Sequence, residues 1–297
     1  PREHVVAYIN FNGESYAVFE EDSSINEPTN VVHGVWNSGT STWDAGNEIV
    51  IPNANANGAR AFDLAIHKAR MVVLTNGTTA AEQQYLVSYS TGGAWTAYAN
   101  VPGGANNLLA TATTRRNNAD NADFYDAEGR LLDYGSLLIA AVYDDATDDQ
   151  IEIYTTADEG ATAWATRGTI KDRRVHRLLV WRDPTALANQ IPILVTERNV
   201  YKVSTTDTTI TALLPDGMLT GADNDGRGAR VGLDGKLYLP LQSGQILVAE
   251  IIGENAFRFT YAGPPSRQEP ADGVASPPPD YQATPEPSRL VFSKGHG

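Results

Sequence analysis

The sequence predicts an all-β fold, a β-propeller of five blades with six as the alternative, and three observations carry that reading. Runs of five to eight residues rich in Val, Ile, Leu, Tyr and Thr recur along the 297-residue chain, bounded by Gly, Asn, Asp or Pro. Helix signals are nearly absent, because no segment repeats apolar residues at helical spacing between recognisable caps; only 80–84 has a turn's worth. Four stretches share one outline of strand, strand, turn, strand, and radial repetition accommodates such repeats better than a single sandwich.

The expected strands run, in order, over 5–11, 15–20, 31–36, 48–51, 62–66, 71–75, 85–89, 95–98, 108–113 and 136–143. They continue over 151–155, 164–167, 177–181, 191–196, 200–204, 210–214, 230–233, 236–241, 245–251 and 257–261. The repeat is clearest between the stretch opening at Met71 and that opening at Leu137, which align almost without gaps; shorter versions open at Leu178 and Arg230. The units expected are 1–55, 56–103, 104–170, 171–216 and 217–263, so the propeller domain is 1–263. Residues 264–297 carry Pro264, Pro265, Pro270, Pro277, Pro278, Pro279, Pro285 and Pro287, a density that favours extended chain. This Pro-rich tail reads as a docking arm, and its strand-like piece Arg289-Leu-Val-Phe-Ser-Lys suits addition to a sheet edge.

Charge and composition restrict the function. With 36 Asp+Glu against 22 Lys+Arg, the net charge is −14, and phosphate backbones are repelled on average, so nucleic acid is not an expected partner. The absence of Cys removes disulfides, thiolate metal sites and cysteine nucleophiles together. Apolar runs such as 137–143 fall far short of the roughly 20 residues of a membrane helix, so no membrane insertion is expected. The opening Pro1-Arg2-Glu3-His4 has neither an initiator Met nor a signal-peptide pattern, which reads as a processed, trimmed or partial chain.

Two short motifs carry a resemblance. Thr156-Ala-Asp158-Glu-Gly160-Ala-Thr162-Ala-Trp164 resembles the Asp-box of sialidase-type, or BNR, propellers, S/T-x-D-x-G-x-T-W, with one residue inserted before the Trp. Ser88-Tyr-Ser90-Thr-Gly92-Gly-Ala-Trp95 matches the spacing, with Ser90 at the Asp position and Ala94 at the Thr position. The motif implies a structural hairpin turn in which Asp158 accepts backbone N–H groups, Gly160 takes positive φ and the Trp covers the space between blades. More loosely, the stretch from Asp225 through Gly-Arg-Gly to Leu237-Tyr-Leu-Pro240 is similar to segments of propeller proteins of uncultured tailed phages, and Arg173 to Pro184 fits the same pattern. The sialidase resemblance implies three arginines around a carboxylate, one in an Arg-Ile-Pro strand; the nearest match here is Arg182-Asp183-Pro184, a departure that weighs against an enzyme.

Metal and nucleotide motifs are missing. The histidines His4, His33, His67, His176 and His296 are scattered without ligand spacing, and no P-loop, dinucleotide fingerprint or Gly-x-Ser-x-Gly occurs. Asp144, Asp145, Asp148 and Asp149 cluster in one hairpin, as Asp120, Asp123 and Asp126 do in another loop and Asp223 beside a turn. Neither cluster matches the EF-hand pattern; solvated acidic turns are the reading, with Ca2+ the alternative and otherwise no cofactor. Asn76-Gly-Thr78 fits a glycosylation acceptor but is already explained as a hairpin turn.

The basic concentration is Lys171 to Arg182, with Arg173, Arg174, His176, Arg177 and Trp181 as the candidate binding residues. Strand alternation mixes charge and apolar groups on both faces, which suits an anionic or glycan ligand or, alternatively, pairing with the surrounding acids. The expected function is a non-catalytic structural or interaction module on a virion such as a phage tail, or on a cell surface, with other protein subunits as partners through the arm. The alternatives are a sialidase-like glycosidase and a glycan-binding lectin drawing on Trp36, Trp43, Trp95, Trp164 and Trp181.

Overall fold

The computed structural model describes residues 4–12, 14–20, 30–37, 42–50, 60–76, 86–89, 96–97, 127–144, 150–158, 164–172, 174–183, 186–215, 228–241, 245–253 and 256–262. Among them are twenty strands in five four-stranded sheets, in which antiparallel neighbours follow one another along the chain. The first sheet holds β1 (His4–Phe11), β2 (Glu14–Glu20), β3 (Asn30–Asn37) and β4 (Thr42–Val50). The second holds β5 (Arg60–His67), β6 (Arg70–Asn76), β7 (Leu86–Tyr89) and β8 (Thr96–Ala97). The third holds β9 (Ala127–Tyr134), β10 (Leu137–Asp144), β11 (Gln150–Thr156) and β12 (Ala165–Lys171). The fourth holds β13 (Val175–Asp183), β14 (Ala186–Thr196), β15 (Val200–Val203) and β16 (Ile210–Ala212). The fifth holds β17 (Arg230–Val231), β18 (Leu237–Pro240), β19 (Ile246–Gly253) and β20 (Ala256–Ala262).

Five consecutive four-stranded meanders are the blades of an all-β propeller, one in each of the units expected from the repeats, with β12 ending a single residue later. Three blades open on a tight hairpin. Phe11 pairs with Glu14 across a turn led by Asn12 at φ 51°, and Tyr134 with Leu137 across Gly135 at φ 66°. His67 pairs with Arg70 across Lys68 and Ala69, at φ 47° and 60°, a mirror-image turn whose positive φ values suit the right-handed strand twist even without glycine.

Other expectations are displaced. The strand expected at 108–113 lies outside the described residues, and the third sheet instead opens with β9, whose Glu128, Arg130 and Asp133 mask the alternation that marks strands. β4 starts at Thr42 rather than 48, its ladder with β3 running on through Asp44 and Asn47, and β14 starts at Ala186 rather than 191. The turn's worth of helix at 80–84 and the tail 264–297 lie outside the described residues.

The chain divides into two compact units, Pro1–Leu178 with Ser204–Ile210 and Leu179–Val203 with Thr211–Gly297. In the first, the second strands β6 and β10 are continuous apolar runs: Met71 to Leu74 and Leu138 to Val142 are wholly buried. Ala65, Val72 and Leu74 of the second sheet meet Leu131, Leu138, Ala140, Val142 and Tyr154 of the third in one cluster. First strands also pack side by side, with β5 between β1 and β9. In the second unit, Trp181, Ile193, Val195 and Val200 cluster with Leu237, Leu239, Leu247 and Ala249.

Candidate functional site at the first strands

Asp63 and Arg130 each stand four residues before the end of the first strand of their blade, at His67 and Tyr134, so the repeat places them at equivalent points of β5 and β9. A bulge between Ala61 and Asp63 shifts the register of β5 and turns Asp63 toward the third sheet. Its Oδ2 accepts the Leu131 N–H at 2.9 Å. Burial pushes the Asp63 carboxyl above its ordinary range, opposed by the Arg130 guanidinium, the Leu131 and Leu64 N–H groups and Arg177. An Asp held toward its neutral form by burial can give a proton or tie strands together.

The same strands carry further links from one blade to the next. Arg130 Nε donates to the His176 carbonyl at 3.2 Å and its Nη1 to the Gly129 carbonyl at 2.8 Å. His67, fully buried at the end of β5, meets Asp133 of β9 through Nδ1 at 2.6 Å. Lys68 Nζ donates to the Ala157 carbonyl. In the second unit, Trp181 Nε1 of β13 donates to the Gly235 carbonyl at 2.8 Å, in the turn between β17 and β18.

Of the basic segment, Arg173 lies outside the described residues. Arg174 is half-buried at φ 56°, a conformation that costs a non-glycine residue energy. His176 is buried, Arg177 is half-buried with its charge acting on Asp63, and Trp181 is wholly buried with its ring 5.2 Å from Phe257, so the indole fills the core and offers no face to a solute. The segment therefore splits: His176 and Trp181 are buried, Arg174 and Arg177 half-buried, and Lys171 and Arg182 exposed.

In the first Asp-box-like motif, Thr156 Oγ1 donates to Asp158 Oδ1 at 2.9 Å and accepts the Asp158 N–H at 3.3 Å, a local turn at the end of β11. Trp164 packs against the cluster shared by the second and third sheets. Gly160, Thr162, Ser90, Gly92 and Trp95 lie outside the described residues, and of Ser88 only the β7 backbone is described. Asp145, Asp148 and Asp149 also lie outside them, and Asp144 is described only as the last residue of β10. Among the described residues no three His, Asp or Glu gather as a metal site. Trp36 and Trp43 are paired across β3 and β4.

Sequence reasoning did not single out Asp63, Arg130, His67 or Asp133. Each looks like an ordinary polar residue of a strand, and the Asp63 contact with Leu131 joins positions 68 apart in sequence.

No family model matches the sequence, and no curated protein is significantly similar to it. Solved structures share the fold at low identity. YCF48 bound to a D1 peptide aligns with 87% of this chain and 66% of its own at 12% identity, with a TM-score of 0.47. The Bombyx mori GH32 β-fructofuranosidase BmSUC1 aligns with 87% and 65% at 12% identity, TM-score 0.42. The GH93 α-L-arabinofuranosidase of Fusarium graminearum in complex with arabinobiose aligns with 86% and 80% at 15% identity, TM-score 0.48. The chain thus spans just under two thirds of the length of the first two.

Proposed function

We propose that this propeller is a non-catalytic structural or interaction module, working on a virion such as a phage tail or on a cell surface, with residues 264–297 as the arm that docks other subunits. The supporting observation is how the polar side chains of the first strands are used. Asp63, His67 and Arg130 each engage the neighbouring blade, and Trp181 does the same in the second unit. Such stitching gives rigid scaffolds whose outer loops are free to vary.

Light scattering and electron microscopy of the full chain, beside a chain ending at Gly263, test the reading. A symmetric particle that dissolves on truncation supports it; two monomeric species refute it. The second reading, a glycosidase, is favoured by one observation: Asp63, pushed toward its neutral form, is a proton donor of the kind a general acid needs. Turnover of aryl glycosides that disappears in Asp63→Asn would establish that reading and displace the first.

A further inference from the structure

We propose that the exposed face of the β1–β2 hairpin, formed by Tyr8, Asn10 and Ser15, is a binding site for a neutral saccharide. Alternation along β1, with Asn10 paired to Ser15 and Ile9 to Tyr16, puts these three side chains on one face and Ile9, Phe11 and Tyr16 on the other. The hidden face is anchored: Phe11 and Tyr16 are each 2% exposed and meet edge to face at 6.0 Å. The open face is built on that rigid base, with the Tyr8 side of the hairpin 49% exposed at the ring-bearing residue.

The Tyr8 hydroxyl lies 3.0 Å from Asn10 Oδ1 and 2.7 Å from Ser15 Oγ, and Ser15 Oγ lies 3.0 Å from the same Asn10 oxygen. The three oxygens share two hydroxyl protons: one hydroxyl donates across the 2.7 Å contact and the other donates to Asn10 Oδ1, so the amide oxygen is the acceptor of the cluster and Nδ2 carries the amide donors. What the three residues present is a half-exposed aromatic ring, two amide hydrogens and hydroxyl lone pairs, none of them charged. A pyranose complements each of these: its C–H face stacks on the ring, one hydroxyl accepts from the amide, and a vicinal hydroxyl donates to Tyr8 or Ser15. Because the ring is already held by its hydroxyl, less side-chain freedom is lost on binding. The site stands apart from the assembly reading, since sugar titration and particle formation are measured separately.

The test is a titration of the full chain with methyl β-glucopyranoside, methyl α-mannopyranoside, methyl β-galactopyranoside and cellobiose, read by NMR shifts of the hairpin amides. At least one sugar is expected to saturate at a Kd of roughly millimolar, weakened about tenfold in Tyr8→Ala and in Asn10→Ala and about threefold in Tyr8→Phe. Asn10→Ala alters an exposed residue and Ser15→Ala a half-buried one, neither in the core, so unchanged circular dichroism and thermal unfolding separate lost binding from lost folding. The proposal is overturned if no neutral sugar saturates by about 50 mM, if the shifts map away from the hairpin, or if Tyr8→Ala and Asn10→Ala bind like the parent.

Discussion

Replacing Asp63 separates its charge from its hydrogen bond. Asp63→Asn keeps an acceptor for the Leu131 N–H and removes the ionisable group, whereas Asp63→Ala removes both. The two variants carry the same charge and differ by the acceptor. Stranding one buried amide should therefore cost Asp63→Ala about 1–3 kcal/mol relative to Asp63→Asn at every pH. Read by hydrogen exchange at Leu131, that is roughly 5- to 150-fold faster opening. The pH dependence has a definite sign. The folded carboxyl sits above its ordinary 3.8, so the fold favours the protonated form. Its stabilising contribution is complete below the ordinary carboxylate range and is lost as pH rises through the raised value. Urea unfolding from pH 4 to 7 should show the parent losing stability relative to Asp63→Asn. A parent that instead gains on Asp63→Asn as pH rises would refute the argument, as would equal Leu131 exchange in the two variants.

Trp181→Phe keeps an aromatic ring beside Phe257 but leaves the Gly235 carbonyl without its indole donor, and should cost about 1–3 kcal/mol in urea unfolding. Trp181→Ala adds a cavity and should cost about 3–5 kcal/mol. Gly168 sits at φ 135° beside the bulge of β11 and β12, and an added Cβ there would lie 2.7 Å from Ile210 Cδ1; Gly168→Ala should cost about 1 kcal/mol or more and lower the thermal midpoint by about 2 °C or more. Burial and the hydrogen bond to Glu152 hold the Tyr154 hydroxyl well above its ordinary range, so absorbance titration near 295 nm should show the same tyrosinate count below about pH 11 in the parent and in Tyr154→Phe.

The architecture was readable because blade-forming signals are local. The apolar runs 71–74 and 138–142 became the buried second strands, and the repeat containing them set the module boundaries. β9 escaped because Glu128, Arg130 and Asp133 interrupt the alternation that a half-buried strand would show. Trp181 drew attention as an aromatic among arginines, yet composition says nothing about depth, and the fold uses it as filler for a core. Asp63 was invisible for a different reason. Its partner is a backbone amide, a group every residue possesses, and only a bulge and the neighbouring strand select that amide. Tyr8, Asn10 and Ser15 lie within eight residues, but their meeting depends on the hairpin register, which pairs Asn10 with Ser15.

Each described sheet is assembled from one uninterrupted stretch of chain, with no strand borrowed from a distant part of the sequence. A ribosome therefore releases every ladder complete before the next begins, and pairing never waits for the last residue to emerge. The same economy bears on descent: duplicating or deleting one stretch would leave the hydrogen-bond ladders of the others whole, so lineages can lengthen or shorten such a chain in whole modules.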